Sequence, residues 1–163
     1  MRIYLTGFMG AGKTTVGRAL ASMLDWTFYD LDREIERIAK RSIPELFQSG
    51  ENAFRATETE QLLSLLPENA VIATGGGCFI ENSDWMLNHG KVIYLHVPFM
   101  ELVQRVGGDP NRPLWKNAAE LFEQRQNTYR KAHFEVDGLG APESIAEKIR
   151  NLVVPEHLPG NSE

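Results

Sequence analysis

Short apolar runs alternate with longer amphipathic stretches along this chain, and no repeat or low-complexity segment interrupts the alternation. Residues 3–6, 27–29, 71–74, 92–97 and 134–136 are short and rich in β-branched or aromatic side chains, which predicts five strands. Val16, Ala19, Leu20, Met23 and Leu24 recur at i, i+3, i+4, i+7 and i+8, the spacing of one helix face. Ile35, Ile38 and Ala39 predict a second helix, and Leu62, Leu63, Leu65 and Leu66 a third, stopped by Pro67. Further helices are expected over 100–106, over about 116–132, and from Pro142, where Ile145, Ile149 and Leu152 share a stripe. Such alternation of strand and helix requires a parallel sheet covered on both faces. Ligands in these sheets sit beyond the carboxyl ends of the strands, so the residues just after each strand carry the chemistry.

Composition narrows the class. A chain of 163 residues is one domain with room for a sizeable core, here expected over 1–152, with 153–163 as a frayed tail. Seventeen Lys and Arg against 22 Asp and Glu give a net charge of −5, which weighs against nucleic acid or an acidic membrane surface as partner. Eleven of the 17 basic residues are Arg, the side chain suited to bidentate contact with carboxylate and phosphate. The single cysteine, Cys78, can form neither an internal disulfide nor, by itself, a zinc site, and reads as a packing residue. His89, His96, His133 and His157 are scattered and suggest no metal site. No apolar run approaches the ~20 residues of a spanning helix, and no leader-like segment precedes the first strand, so a cytoplasmic protein is expected.

The first strand runs directly into Gly7-Phe8-Met9-Gly10-Ala11-Gly12-Lys13-Thr14-Thr15, which fits G-x-x-x-x-G-K-[ST] in its strand–loop–helix context. Glycines let the backbone curl so that successive N–H groups point inward, and the helix start adds its positive end. In a loop of this kind Lys13 lies against the β- and γ-phosphates of a nucleotide and the Thr14 hydroxyl coordinates Mg²⁺. A GTPase needs a guanine-reading N-K-x-D, and the chain has none. A small-molecule kinase fits its size. A silent domain that binds ATP only to order a lid is the reading from a different class.

Asp30 and Asp32 follow the second strand, spaced to point the same way if the strand persists. A kinase needs one carboxylate near Mg²⁺ and one to accept the attacking hydroxyl's proton; alternatively, Asp32 caps the helix that follows. Gly75, Gly76 and Gly77 follow the third strand and leave bare backbone where a ligand can approach, or form a plain tight turn. Arg125 falls in the middle of an apolar helical stripe made by Ala118, Leu121, Phe122, Tyr129 and Ala132. A guanidinium there needs an anion, either a protein carboxylate or a bound one. Arg55 follows an aromatic in Gly50-Glu51-Asn52-Ala53-Phe54-Arg55, and Arg112 lies in a Gly- and Pro-containing segment suited to a mobile cover.

Together these residues resemble the shikimate kinase family over about 1–152. The resemblance rests on residues 7–15, the Asp30-Leu31-Asp32 pair, the block from Gly50-Glu51 to Phe54-Arg55, the glycine triplet, Arg112-Pro113-Leu114, and Arg125 four residues before Tyr129. It implies an α/β P-loop kinase fold, a five-stranded parallel sheet flanked by helices on both faces, with a mobile lid over about 105–117. It implies ATP bound by Gly10, Ala11, Gly12, Lys13, Thr14, Thr15, Arg105 and Arg112, and hydrated Mg²⁺ held by Thr14 and Asp30. Asp32 would contact the shikimate hydroxyls as base, and Arg55 and Arg125 would bind the shikimate carboxylate. Gly75, Gly76 and Gly77 would supply backbone contacts. Lys13, Asp32 and Arg112 would form the catalytic set of a monomer that converts shikimate and ATP to shikimate 3-phosphate and ADP, on the route to chorismate. Related kinases of gluconate or nucleoside monophosphates share the loop, and gluconate also offers a carboxylate. The chain departs from the family pattern in a Phe47 to Gly50 spacing one residue short, and in Gly140 where many members carry arginine.

Overall fold

The central strands are built from unbroken apolar runs, as strands buried on both faces must be. Ile3, Tyr4, Leu5, Val71, Ile72, Val92, Ile93 and Leu95 are all fully buried. A computed structural model describes residues 1–106 and 117–154. In it β1 (Arg2–Thr6), β2 (Thr27–Asp30), β3 (Ala70–Ala73), β4 (Lys91–His96) and β5 (Phe134–Asp137) form one parallel sheet in the order β2-β3-β1-β4-β5. All five expected strands are present, shifted by a residue or two at their ends.

Successive side chains of β1 point to opposite faces. Leu5 faces α1 (Lys13–Leu24), at the point where Gly17 packs against it. Tyr4 turns the other way, toward Trp85 of α5 (Cys78–His89). The remaining helices are α2 (Leu31–Ala39), α3 (Ile43–Phe47), α4 (Glu51–Ser64), α6 (Phe99–Val106), α7 (Ala118–Tyr129) and α8 (Pro142–Val153). α8 packs on α1, while α5 packs against α4 and α7.

Two helices lie where the apolar periodicity predicted none. α3 is a single short turn, capped by the Ser42 hydroxyl. α5 is hidden by its Asn82-Ser83-Asp84 segment and is irregular at Asn82, whose φ is −128°; Cys78, Phe79 and Met86 nevertheless anchor it in the core. The helix expected around the Leu62–Leu66 run begins much earlier, at Glu51, and ends at Ser64, leaving Leu66 exposed. α8 extends to a buried Val153, not the exposed Leu152. The rest of the expected tail, and most of the expected lid including Arg112, lie outside the described residues.

Register brings the chemistry to one edge. Leu5 and Asp30 both lie opposite Ala73, so the ends of β2, β3 and β1 stand side by side. The loops leaving them carry the two aspartates, the glycine triplet and the phosphate loop. Gly7 opens that loop at φ 151°, with the Leu95 carbonyl of β4 so close that a Cβ would stand 2.6 Å from its oxygen. Gly7→Ala therefore meets immovable backbone in a conformation hostile to side chains. It should destabilise the fold by roughly 2–3 kcal/mol in chemical denaturation.

Candidate active site

The phosphate loop is cradle-shaped before any ligand is considered. Gly10 and Gly12 take φ of 85° and 94°, and Gly12 caps α1 without a side-chain hydrogen bond. The first N–H groups of α1 are thus left for an anion. The Lys13 ammonium reaches back to the carbonyls of Gly7 and Phe8. Arg105 donates to the carbonyls of Gly10 and Ala11 through Nη1 and to that of Gly138 through Nη2, at 3.3–3.4 Å. It ties the phosphate loop to the turn after β5. Gly10, Ala11, Gly12, Lys13 and Arg105, with Thr14, Thr15, Asp30, Asp32, Gly75 and Gly76, wall a cavity of about 720 Å³.

The two aspartates divide their tasks. Asp30, not Asp32, caps α2, its Oδ1 accepting from the N–H groups of Asp32 and Arg33. Its Oδ2 accepts the Thr14 hydroxyl at 3.1 Å. A hydroxyl beside a carboxylate is a hard-oxygen pair of the kind Mg²⁺ takes when water and phosphate complete its shell. Among the described residues no cluster of three or more His, Cys, Asp or Glu could hold a metal ion. Asp32 is freed from capping, and its buried Oδ1 has no hydrogen-bond partner. Burial and the neighbouring Asp30 raise its pKa, against the opposing pull of Lys13 and Arg55.

The glycine triplet is needed for space, since none of the three has a positive φ. A Cβ on Gly75 would stand 3.0 Å from Asp32 Oδ1 and from Glu58 Oε2, and one on Gly76 would stand 3.1 Å from Arg125 Nη1. A Cβ on Gly77 would overlap the Arg55 guanidinium. Four charged side chains therefore converge on three bare residues. Arg55, Arg125 and Gly77 do not wall the cavity itself; they lie next to Gly75 and Gly76, which do.

Glu58 was not apparent from the sequence. It is fully buried on the Phe54–Glu58–Leu62 stripe of α4, and its Oε1 pairs with Arg55 at 2.9 Å. Burial raises its pKa, Arg55 counters, and its Oε2 has no partner. Its place between apolar neighbours at i−4 and i+4 was the available signal. Arg55 also lies over the rings of Phe54 and Phe47, which stack at 4.4 Å. The short Phe47–Gly50 connection closes through Gly50 at φ 101°, so Arg55 still reaches the site.

Arg125 is 6% exposed and, among the described residues, has no carboxylate within ion-pair distance. Its neighbours are the Phe8 ring at 5.9 Å and the Tyr129 phenol, which donates to the Gly76 carbonyl at 2.6 Å. Of the two readings open for this guanidinium, the protein-carboxylate one finds no partner among the described residues. Cys78 is fully buried, its thiol pKa pushed well up by burial, as suits a packing residue.

The comparisons with known proteins point the same way. A shikimate kinase family model matches residues 9–153. A shikimate kinase of Nitrosospira multiformis is 45% identical over 159 residues, 90% of this chain and 82% of that one. The structure of an Acinetobacter baumannii shikimate kinase in complex with shikimate superposes with a TM-score of 0.90 at 40% identity, covering 96% of this chain and 94% of that one. A gluconokinase from Sinorhizobium meliloti, at 15% identity and a TM-score of 0.60, shares the fold alone. A phosphate loop beside an aspartate whose buried Oδ1 has no hydrogen-bond partner, and beside a buried arginine with no carboxylate at ion-pair distance among the described residues, is thus set in a chain that, over nearly its full length, belongs to the shikimate kinase family.

Proposed function

We propose that the residues of this site divide the transfer of the ATP γ-phosphoryl to the 3-hydroxyl of shikimate among themselves as follows. The observation that carries this reading is the convergence of Asp32, Arg55 and Arg125 on the glycine triplet, one strand from the phosphate loop. Gly10, Ala11, Gly12, Thr14 and Thr15 bind the phosphates through backbone N–H groups. Lys13 leaves the carbonyls of Gly7 and Phe8 for the β- and γ-oxygens. Arg105 orders the rim where the base enters, and Arg112, outside the described residues, covers the phosphates. Thr14 and Asp30 would hold hydrated Mg²⁺, which would neutralise charge on the phosphates.

Arg55 and Arg125 clamp the shikimate carboxylate, which supplies the anion Arg125 lacks among the described residues. Glu58 holds Arg55 in place. Gly75, Gly76 and Gly77 let the ring approach the backbone. Asp32 Oδ1 accepts the proton of the 3-hydroxyl as its oxygen forms the new bond to phosphorus, and the bond to the bridging oxygen breaks to release ADP. The family resemblance suggests a monomer. The single unpaired cysteine and the absence, among the described residues, of a helix able to cross a membrane support a cytoplasmic enzyme.

An ADP-release assay with and without shikimate tests the reading. Release should saturate with shikimate and not with gluconate or nucleoside monophosphates; ATP hydrolysis indifferent to shikimate would overturn it. The Gly77→Ala variant, whose methyl displaces Arg55, should raise the shikimate KM about tenfold in that assay, with the ATP KM nearly unchanged.

A further inference from the structure

With no carboxylate at ion-pair distance among the described residues, Arg125 takes its position from α7 and from its contacts with Phe8 and Tyr129. α7 meets β4 through Tyr94, which stacks on Tyr129 at 4.9 Å and donates its hydroxyl hydrogen to Gln126 Oε1 at 2.8 Å. The Gln126 amide cannot be turned round, because its Nε2 donates to the Phe122 carbonyl at 3.2 Å. A phenol has one hydrogen, and burial pushes the Tyr94 pKa up to about 12, so it keeps that hydrogen. His96, at the end of β4, brings its Nδ1 within 2.9 Å of the same oxygen. Since the phenol hydrogen is already committed, the hydrogen in this contact must be on Nδ1. The Glu135 carboxylate of β5 stands 4.0 Å from the same Nδ1.

We propose that His96 is a positioning residue for the acid-binding face of α7: its Nδ1–H, donated to the Tyr94 oxygen, leaves the phenol hydrogen with Gln126 and so helps hold the helix that carries Arg125. This rests on the reading of Arg125 as a carboxylate ligand. The neutral Nδ1–H tautomer and the imidazolium both donate from Nδ1, so the device works in either charge state. Its logic lies in donor against acceptor.

The logic separates two small substitutions. His96→Asn can place an amide N–H near Nδ1 and should retain the shikimate KM. His96→Asp offers only acceptor atoms when ionised, draws the phenol hydrogen away from Gln126, and should raise the shikimate KM about tenfold, the worth of one buried hydrogen bond. The ATP KM and kcat should hold. In a Tyr94→Phe background the His96→Asp effect should vanish, because no phenol remains to redirect. Long-range proton–nitrogen correlation spectra of the wild-type enzyme should show neutral His96 with its hydrogen on Nδ1. A hydrogen on Nε2, a His96→Asp variant with wild-type KM, or equal damage from both substitutions would overturn the proposal. If His96→Asp does not fold, the tautomer and the His96→Asn kinetics decide. Arg125→Ala is the control: no rise in its shikimate KM refutes the carboxylate reading, whereas a rise there with none in His96→Asp refutes the role of His96 alone.

Discussion

Asp32→Asn should lower kcat by about a thousandfold while ATP binding stays near wild type, within the range a positioned general base contributes. Asparagine keeps the shape of the side chain and can still accept a hydrogen bond, so binding geometry survives. It cannot accept the proton. The same substitution should make the protein without substrate more stable. Asp32 carries a raised pKa in the fold from burial and from Asp30, and Glu58 likewise from burial, both above the usual 3.8 and 4.5. A group whose folded pKa is raised favours folding fully below its unfolded value, and that contribution is lost as pH rises through the folded value. At neutral pH both carboxylates are therefore a burden on the fold, which Asp32→Asn relieves, and a thermal melt at pH 7 should shift upward. The same raised value should place the acid limb of the wild-type kcat/KM profile above the ordinary carboxylate range. A fully active variant removes Asp32 from proton transfer, and a melt unchanged at pH 7 contradicts the burden assigned to its charge.

How much of this was legible beforehand depends on how local each signal is. The phosphate loop was read directly, because its glycines, Lys13 and Thr14 act within one short segment between a strand and a helix. Asp30 was placed correctly at the end of β2, but the strand does not persist to Asp32, which lies in the first turn of α2; the sequence left capping open to Asp32, and the structure gives it to Asp30. A shift of two residues in a helix start exchanges the roles, and periodicity cannot resolve it. The triplet was recognised as open backbone; its reason is finer, since each glycine clears room for a particular charged side chain brought from α2, α4 or α7. Glu58 was passed over because a lone acid in a helix is ordinarily solvated. Its burial follows only once α4 turns the Phe54–Leu62 stripe inward beneath Arg55. α5 stayed hidden because Asn82, Ser83 and Asp84 speak against a helix, while Cys78, Phe79 and Met86 hold it by tertiary packing.

Arg125→Ala should raise the shikimate KM about a hundredfold, with the ATP KM within about twofold, because charge-assisted bonds to a carboxylate are the strongest of their kind and both partners are desolvated here. The contrast with Arg55→Ala makes the prediction specific. Arg55 is paired with Glu58 at 2.9 Å, so its removal leaves a fully buried carboxylate without its cation and should weaken the fold as well as binding. Arg125 has no such partner among the described residues, so its removal deletes a buried charge without breaking an ion pair there. The protein without substrate should then melt no lower than wild type, while shikimate stabilises the variant far less than it stabilises the parent. Arg125→Lys should recover only part of the affinity, since an ammonium keeps the charge and loses the planar fork. If Arg125→Ala raises both KM values equally, the guanidinium is placing the phosphate loop through Phe8, 5.9 Å from it, and the carboxylate must be held elsewhere.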